Sequence, residues 1–554
     1  MATRLTRRTL LRGIASGALL PWWTAVGPRA AAATSAAFPW GVASGDPDAE
    51  SIVLWTRVAS PRLEARVRWE IAEDPAFERV VEQGELRTDV RDDHHAKVLV
   101  GGLAPGDTYF YRFTWDGNRS LVGRTRTLPV GPISEWTLAV ASCSNYPFGY
   151  FNAYDAIGRD ETVDLVLHLG DYIYEYGADE WGGEQGAALG RVHDPAHETL
   201  SLDDYRRRHR QYKSDPGSIV MHAAHPLLAI WDDHESANNP WTGGAQNHQP
   251  DTEGRWSERR AASLQAYYEW MPVRDAEARA RYWRHLRIGD LASLVSLETR
   301  HSGRAQQISV ADHLADDASV ADVERFRRDV LGAPDRPMIS PEQEDFLRGA
   351  LDDAQAAGRP WRILANQIPM ARVHVPPLDD ATFASVRDDP GHTAHAQLAD
   401  LTQLGARDLP IYLDTWDGYP WARERLYALL ADADVHDLLV LTGDSHAFWL
   451  NALADAEGHA MGLELGTTGI SSPGDFADFG PELGAEIDAR LVAHNDEVLW
   501  TDNGPRGWLR VTLTPEAATA EYMRVSTVAS TEYGSGLLRR VNIRRDAGQL
   551  VLAG

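Results

Sequence analysis

The sequence predicts a mixed α/β (α+β) domain preceded by a small all-β domain. From 38 to 128, short strand-like segments alternate with turns rich in Pro, Gly and Asp, a spacing typical of a β-sandwich. From 134 to 527, short apolar runs each end in a polar cluster and helical patterns lie between them, as in sheets buried on both faces. The chain of 554 residues is too long for one hydrophobic core, so at least two units are expected. Residues 528–554 are assigned to a C-terminal tail.

Residues 1–33 have the features of an export signal. Arg7 and Arg8 precede a mildly apolar stretch, 13–27, and small side chains close the segment at 30–33. The arginine pair is typical of twin-arginine signals, a pathway that moves folded proteins. The apolar stretch is too short to span a bilayer. We therefore expect cleavage of this signal, export by the twin-arginine machinery, and a soluble mature protein that is periplasmic or secreted.

Charge and composition limit the partners. The formal charge is −27 and the pI is near 5.1, which excludes nucleic acid as the main partner because an acidic surface repels phosphate chains. Cys143 is the single cysteine, so the chain has no internal disulfide framework. No run after the export signal approaches the ~20 apolar residues of a membrane helix.

Three segments predict the β domain. Residues 51–58, 65–71 and 108–113 are rich in β-branched and aromatic side chains, which partly alternate with polar ones. Pro, Gly and Asp residues separate them, and Val-Gly-Pro at 130–132 is interpreted as a linker.

Five apolar runs predict the α/β domain, and each ends in side chains that can do chemistry. They are 137–141 before Cys143, 165–169 before Asp171, 227–230 before Asp232, Asp233 and His234, 363–365 before Asn366 and Gln367, and 438–441 before Asp444 and His446. Because α/β folds place their sites at the carboxyl ends of strands, these clusters are expected to converge. The β-like segments 507–513 and 519–522 are expected to finish the sheet.

The residue types suit two metal ions. A thiol or a phenol, from Cys143 or Tyr174, together with imidazole suits a trivalent or borderline metal, whereas carboxylates and amide oxygens suit a hard divalent ion. Two ions about 3.5–4 Å apart could share one bridging carboxylate. Asp171 is the natural bridge, because Gly170 before it allows a tight backbone turn beneath the ion.

Each candidate also has an ordinary structural interpretation. A lone cysteine is more often a small buried apolar residue, and a lone tyrosine is more often a packed aromatic. Asp232 is a weaker candidate than Asp233, since an aspartate at a strand end often braces backbone amides. Asn238 and Asn239 could bind metal, but Asn-Asn-Pro is first a turn signal.

These motifs resemble a known family. Gly170-Asp171, Asp-His-Glu at 233–235 and Gly-Asp-Ser-His at 443–446 resemble, in order, three signature segments of calcineurin-like metallophosphoesterases. The departures from that pattern, at Cys143, Asp233 and Asp444, are those of the PhoD-type alkaline phosphatase family, whose motifs the segments 168–176, 231–235, 41–47 and 54–57 also resemble. The likeness covers nearly the whole mature chain.

The resemblance implies a fold, an activity and a set of ligands. The fold would be a metallophosphoesterase β-sandwich flanked by helices, and the activity that of an exported alkaline phosphatase with iron(III) and calcium, or divalent alternatives. A metal-bound hydroxide would attack the phosphoric ester. By this likeness iron would be held by Cys143, Asp171, Tyr174 and His446, calcium by Asp233, Gln367 and Asp444, with Asp171 bridging. Asn366 is the alternative to Gln367, and His234 would contact the leaving-group oxygen or a phosphoryl oxygen.

Arginine side chains are the candidates for binding the negative charge of a phosphate substrate. Arg300 and Arg304 follow an apolar strand and could clamp phosphate by forked hydrogen bonds, or could instead form surface ion pairs. The arginines between 206 and 210 are expected to form a solvated helix face. The substrate would be a small phosphate ester, with polymer or lipid phosphodiesters (phospholipase-D-like hydrolysis) as the alternative. A non-catalytic surface-binding protein is disfavoured, because it would show decayed metal motifs.

Overall fold

The computed structural model describes residues 24–26, 34–276 and 278–553, with only the backbone described at 24–26. Apart from that backbone, the predicted export signal at 1–33 lies outside the described residues. Within the described part of the chain, no helix combines the length and the apolar character needed to cross a membrane.

The strands, in chain order, are β1 (Thr24–Val26), β2 (Val42–Gly45), β3 (Ile52–Arg57), β4 (Glu64–Ala72), β5 (Val80–Asp89), β6 (His95–Val100), β7 (Thr108–Trp115), β8 (Asn118–Arg119), β9 (Gly123–Arg126), β10 (Trp136–Ala141), β11 (Leu165–His168), β12 (Pro226–Ala229), β13 (Pro240–Trp241), β14 (Gly244–Ala245), β15 (Arg284–Ile288), β16 (Ala292–Ser296), β17 (Trp361–Ala365), β18 (Leu438–Thr442), β19 (Phe448–Ala454), β20 (Ala460–Gly466), β21 (Val498–Asp502), β22 (Arg506–Leu513), β23 (Ala517–Val525), β24 (Tyr533–Asp546) and β25 (Gln549–Ala553). The α-helices are α1 (Asn152–Gly158), α2 (Gly183–Leu189), α3 (Leu202–Lys213), α4 (Pro216–Ala224), α5 (Pro250–Glu253), α6 (Trp256–Trp270), α7 (Val320–Arg325), α8 (Pro341–Ala356), α9 (Ala384–Arg387), α10 (His395–Ala406), α11 (Pro420–Asp432) and α12 (Gly480–His494).

Two large sheets form the α/β part. An 11-stranded sheet has the order β1-β24-β23-β22-β10-β11-β12-β2-β3-β6 with β25 beside β24, and a 7-stranded sheet has the order β15-β16-β17-β18-β20-β19-β21. One core joins them, and it includes Leu138 and Leu167 of the first sheet and Ile363 and Leu439 of the second. All four side chains are at most 1% exposed. The mixed α/β class is therefore the one that the sequence predicts.

The central strands of each sheet run parallel and end at the same edge. Ala141 pairs with His168, and His168 pairs with Ala229, so β10, β11 and β12 finish side by side. In the second sheet Ala365 at the end of β17 pairs with Leu441 near the end of β18. Strands β10, β11 and β18 are wholly buried and mostly apolar on both faces, and β17 is buried except at Arg362. The residues that follow them are consequently brought to one place.

The predicted β-sandwich shares a sheet with the α/β part. β2 pairs in parallel with β12, and β3 and β6 extend the 11-stranded sheet beyond it. A separate 5-stranded sheet, β5-β4-β7-β8 with β9 beside β7, closes over this extension. Leu54, Val67 and Phe113 lie in the core between the two layers. No pattern in the sequence predicts that β2 pairs with β12.

Residues 528–554, assigned above to a tail, instead contain two strands of the large sheet. β24 pairs along its length with β23, and β25 pairs with β24. β24 places Tyr533, Val541 and Ile543 in the core, and its last three residues are exposed and charged. Arg540 pairs with Glu521, and Arg545 pairs with Asp437, which fixes the strand to the body of the fold.

Candidate metal centre

The loops after β10, β11, β12 and β18 bring together the residues that the sequence analysis selected. Three groups of side chains each have ligand atoms within 4.8 Å of one another: Cys143, Asp171 and His446; Asp171, Asp233 and His234; and Asp232, Asp233 and Asp444. The first two groups share Asp171 and the last two share Asp233. The groups therefore form one continuous centre rather than separate clusters.

Tyr174 belongs to the first of these groups. Its hydroxyl donates a hydrogen bond to Asp171 Oδ2 at 3.1 Å and lies 3.2 Å from His446 Nε2. The Ser472 hydroxyl donates to the same phenol at 2.8 Å. His446 Nδ1 donates to the Pro473 carbonyl at 2.9 Å, and burial lowers the pKa of His446 to about 3. A neutral ring held in this way presents the Nε2 lone pair to the centre.

The backbone at the centre is strained. Cys143, Asp171, Asp444 and His446 all have positive φ, at 60°, 55°, 66° and 51°. The left-handed region is uncommon for residues other than glycine, and each such residue costs of order 1–3 kcal/mol. Strain of this kind persists only where the surrounding structure over-determines it, and it clusters at functional sites.

Gly170 is required by the turn that presents Asp171. Its φ is 101°, and a Cβ added there would lie 2.3 Å from Asp232 Cβ and 2.5 Å from Asp232 N. The close approach is between the loops after β11 and β12, so glycine is needed both for its φ and for its lack of a side chain.

Replacing Gly170 with alanine is expected to lower the free energy of unfolding by more than about 1 kcal/mol, because strain and a backbone clash are added together. Urea unfolding followed by circular dichroism measures the loss. Gly190→Ala is the matched control, since Gly190 has φ of 68° but open space around its added Cβ. Equal losses in the two variants would contradict the steric part of this account.

The charges at the centre fit bound cations. Burial, together with the neighbouring carboxylates, raises the pKa of both Asp171 and Asp444 well above the ordinary value. Asp232 Oδ2 is a buried oxygen that, among the described residues, has no hydrogen-bond partner, and the nearest cation to buried Asp233 Oδ1 is Arg300 Nη2 at 3.6 Å, beyond hydrogen-bond distance. Buried carboxylates are normally hydrogen-bonded, paired or bound to metal. The centre therefore contains the types of group that bind metal ions, namely a thiol, a phenol, imidazoles and carboxylates.

His234 is held between carboxylates. Its Nδ1 lies 2.7 Å from Glu175 Oε2, and its ring stacks on Tyr174 with centroids 4.2 Å apart. Burial alone would lower the pKa of His234, but the charges of Asp233, Glu175 and Asp171 raise it well above the ordinary value. A cationic imidazole can donate Nε2–H toward an oxygen of a substrate.

Two glutamates that the sequence analysis did not select hold the loops in place. The Glu235 carboxylate accepts hydrogen bonds from the backbone N–H groups of Asp171, Tyr172 and Asp232 at 3.0, 2.5 and 2.7 Å. Glu175, besides contacting His234, accepts one from the Asn238 backbone at 2.6 Å. Both lie inside the quoted motifs 168–176 and 231–235, so their proximity to the site was visible in the sequence but their roles were not.

Arg300 lies within the centre and contacts its carboxylates. The side chain is 0% exposed, with Nε 2.5 Å from Asp232 Oδ1 and Nη2 3.1 Å from Asp444 Oδ1. Its Nη1 lies 3.4 Å from Asp414 Oδ2, a carboxylate that the sequence analysis missed because no motif surrounds it. Arg304 donates instead to the carbonyls of Thr299 and Asp414, and so braces this loop.

The amide candidates are engaged with protein groups. Gln367 donates to the carbonyls of Trp231 and Leu297 at 3.0 and 2.8 Å, and its Oε1 accepts from Thr299 at 2.9 Å. Asn366 donates to the Ile368 carbonyl and accepts from Trp416. The side-chain amides of Asn238 and Asn239 both donate to Gln246. Gln367 retains one free lone pair on its oxygen, and its role as a ligand stays a prediction.

A cleft opens beside His446. It measures about 1130 Å³, and Trp181, Tyr412, Pro473, Asp475 and Phe476 are among its walls; we call it the tryptophan cleft. The Trp181 ring stacks on the His446 ring, with centroids 5.7 Å apart and planes inclined by 10°. The cleft therefore reaches the edge of the metal centre.

Two family models and a curated protein match this chain. The family model described as PhoD-like phosphatase matches residues 138–522, and the one described as PhoD-like phosphatase, N-terminal domain, matches 23–129. The chain is 35% identical over 528 residues to alkaline phosphatase D of Bacillus subtilis (strain 168), an alignment that spans 91% of this chain and 80% of that protein.

Solved structures show the same fold. The structure of PhoD superposes with a TM-score of 0.76 at 30% identity, over 95% of this chain and 94% of that one. The purple acid phosphatase PPD1 of yellow lupin (Lupinus luteus) matches with a TM-score of 0.52 at 14% identity, over 91% of this chain and 74% of that one, which is a likeness of fold alone.

Proposed function

This chain belongs to the PhoD-like phosphatase family and is a phosphoric-ester hydrolase, and from that premise we propose that it hydrolyses phosphoric monoesters at a centre of two metal ions, iron(III) and calcium. The observation that supports the two-metal centre most strongly is that the three groups of ligand atoms are joined through Asp171 and Asp233. Two ions beside a shared carboxylate are the usual arrangement for stabilising both oxygens of a phosphoryl displacement.

The ligand chemistry divides the centre into two halves. Cys143, Tyr174 and His446, gathered around Asp171, would hold iron(III), since thiolate or phenolate together with imidazole suits a trivalent or borderline metal. Asp233 and Asp444, together with Gln367, would hold calcium through oxygen atoms. Bound there, the two cations would acidify a water molecule and neutralise charge that develops on the phosphoryl oxygens.

The protein groups around the centre position the reactants. Glu175 fixes the imidazole of His234, which then donates a hydrogen bond to the leaving-group oxygen or a phosphoryl oxygen. Glu235 binds three backbone amides and so holds the Asp171 and Asp232 loops at a fixed separation. Arg300 is fully buried and forms ion pairs with Asp232 and Asp444, so it orients these two carboxylates. It also adds positive charge to the centre without being exposed to solvent.

Phosphodiesters are the second candidate substrates. A diester carries a further ester group that must fit beside the scissile phosphate, and the tryptophan cleft provides space adjacent to His446. The uncharged organic group of a polymer or lipid phosphodiester would lie in it. The monoester activity is the primary proposal, because the family match is to alkaline phosphatase D.

We also infer export through the twin-arginine pathway to the periplasm or the medium, on the strength of the arginine pair and apolar stretch at 1–33. Folded export would allow the metals to be acquired before translocation. The N-terminal sequence of protein recovered outside the cytoplasm tests this inference.

Purified mature protein is expected to contain iron and calcium and to hydrolyse p-nitrophenyl phosphate faster than bis(p-nitrophenyl) phosphate. Elemental analysis and initial rates with the two matched esters measure this. A preference for the diester would replace the primary proposal with the second candidate, and failure to hydrolyse either ester by metal-loaded protein would refute both.

A further inference from the structure

Two cavities of opposite charge adjoin each other next to the metal centre. The tryptophan cleft has an acidic lining (Asp179, Glu180, Glu184, Asp475 and Asp478), and its described lining contains no Lys, Arg or His. A second cavity, of about 570 Å³, is lined by Arg506, Arg524, Asp502, Ser526, Phe148 and Gln185 among others; we call it the arginine pocket. Phe148 and Gln185 line both cavities.

Arg506 supplies positive charge to the arginine pocket, whose lining also includes the carboxylate of Asp502. Arg506 Nη1 donates only to the carbonyls of Asn503, Gly504 and Pro505, within its own turn, at 3.5, 3.3 and 2.9 Å. Among the described residues no carboxylate forms an ion pair with it. Desolvation lowers the pKa of this half-buried arginine to about 10, while the charges of Asp475 and Asp502 act in the opposite direction. A half-buried cation without an ion-pair partner is stabilised when an anion binds to it.

The arginine pocket is close enough to serve the reaction. The Thr468 hydroxyl lies 2.8 Å from the His446 carbonyl oxygen and 2.8 Å from the Pro505 carbonyl oxygen. One hydroxyl thus connects the backbone of a candidate metal ligand with the turn that carries Arg506. One threonine side chain therefore lies between the His446 backbone and the turn that carries Arg506, so the arginine pocket lies near the metal centre.

The chain has a formal charge of −27, so most of its surface repels anions. The arginine pocket, with Arg506 and Arg524 in its lining, is a place near the metal centre that can attract one. A second anion on the substrate would be repelled by the five carboxylates of the tryptophan cleft and attracted by the arginine pocket. We propose that the arginine pocket binds a second phosphate group of the substrate, carried on the alcohol part of the phosphoester, while the scissile phosphate lies at the metal centre. This inference rests on the proposed function and names a substrate class for it, the bisphosphorylated alcohols.

The test compares 1,6-hexanediol bisphosphate with hexyl phosphate, which share the same alkyl chain. For metal-loaded wild-type protein, kcat/KM per phosphate end is expected to be at least about tenfold higher for the bisphosphate, the size of one charged hydrogen bond. Arg506→Gln is expected to remove this preference, and Arg506→Lys to retain part of it. Both variants should hydrolyse p-nitrophenyl phosphate at the wild-type rate, because that substrate has no second anion. Arg255→Gln, which removes a side chain that is 83% exposed, is the control for a general loss of positive charge and should keep the preference.

The outcomes separate this inference from the function on which it rests. A wild-type protein that hydrolyses p-nitrophenyl phosphate but shows no preference for the bisphosphate refutes the second-phosphate site and leaves the proposed function standing. A preference that survives in Arg506→Gln, or that disappears equally in Arg255→Gln, also refutes it. Loss of p-nitrophenyl phosphate hydrolysis in metal-loaded wild type would instead refute the proposed function itself.

Discussion

Replacing Asp171 with asparagine is expected to lower kcat/KM for p-nitrophenyl phosphate by at least about a thousandfold while the protein stays folded. Asp171 is the one carboxylate common to the Cys143 group and the His234 group of ligand atoms. An amide has the same shape but carries no charge and cannot bridge two cations through two equivalent oxygens. Metal content is therefore expected to fall together with activity.

A control variant distinguishes loss of catalysis in Asp171→Asn from loss of the fold. Asp488→Asn is a suitable control, since Asp488 is also a buried aspartate but lies on α12, where it binds Asn503 outside the centre. Circular dichroism, thermal unfolding, elemental analysis and initial rates are measured on both variants. If Asp171→Asn retained most of its activity, the bridging role would be refuted.

Replacing Cys143 with serine is expected to abolish any visible absorption that arises from thiolate bound to iron(III). Burial and the Asp171 charge raise the pKa of the Cys143 thiol well above its ordinary value in the metal-free chain, so a thiolate at this position requires a bound cation. Serine fills the same space, but its hydroxyl is a hard and weakly acidic donor. Iron affinity is expected to fall along with the colour.

Tyr174→Phe is the matched partner of this variant. It removes the phenol that lies beside Asp171 and His446 but leaves the thiol, and so it isolates the absorption that a phenolate would contribute. Visible spectra of iron-loaded wild type, Cys143→Ser, Tyr174→Phe and the double variant separate the two contributions. Spectra that remain unchanged in the double variant would mean that iron is not bound by this half of the centre.

Part of the site could be predicted from the sequence because chain geometry limits where strand ends can go. Cys143, Asp171 and Asp233 each follow a short strand that is apolar on both faces, and parallel neighbours in a sheet must end at the same edge. The Gly170 turn was predicted for the same local reason, since only glycine tolerates its φ of 101° beside another backbone. These features depend on residues close together in the chain.

Other features could not be predicted, because they depend on contacts between distant segments. Arg208 was expected on a solvated face, yet it is fully buried and donates to the carbonyls of Tyr174 and Pro195. Asp414 lies against Arg300, which is 114 residues away in the chain, without any motif around it. Arg300 itself was predicted to meet phosphate, and the carboxylates that enclose it come from three separate loops.

The sequence by itself determined the α/β class, the β-rich N-terminal part, the family likeness and the chemical types gathered at the strand ends, because hydrophobic periodicity and short motifs are local properties of the chain. Only the tertiary structure decided that β2 joins the large sheet, that 533–553 adds strands to it, and that an acidic cleft and an arginine pocket adjoin each other beside His446. Sheet order and the sign of charge around a cavity are set by which distant segments pack together, and the free energy of that packing is spread over the whole core rather than encoded at any one position.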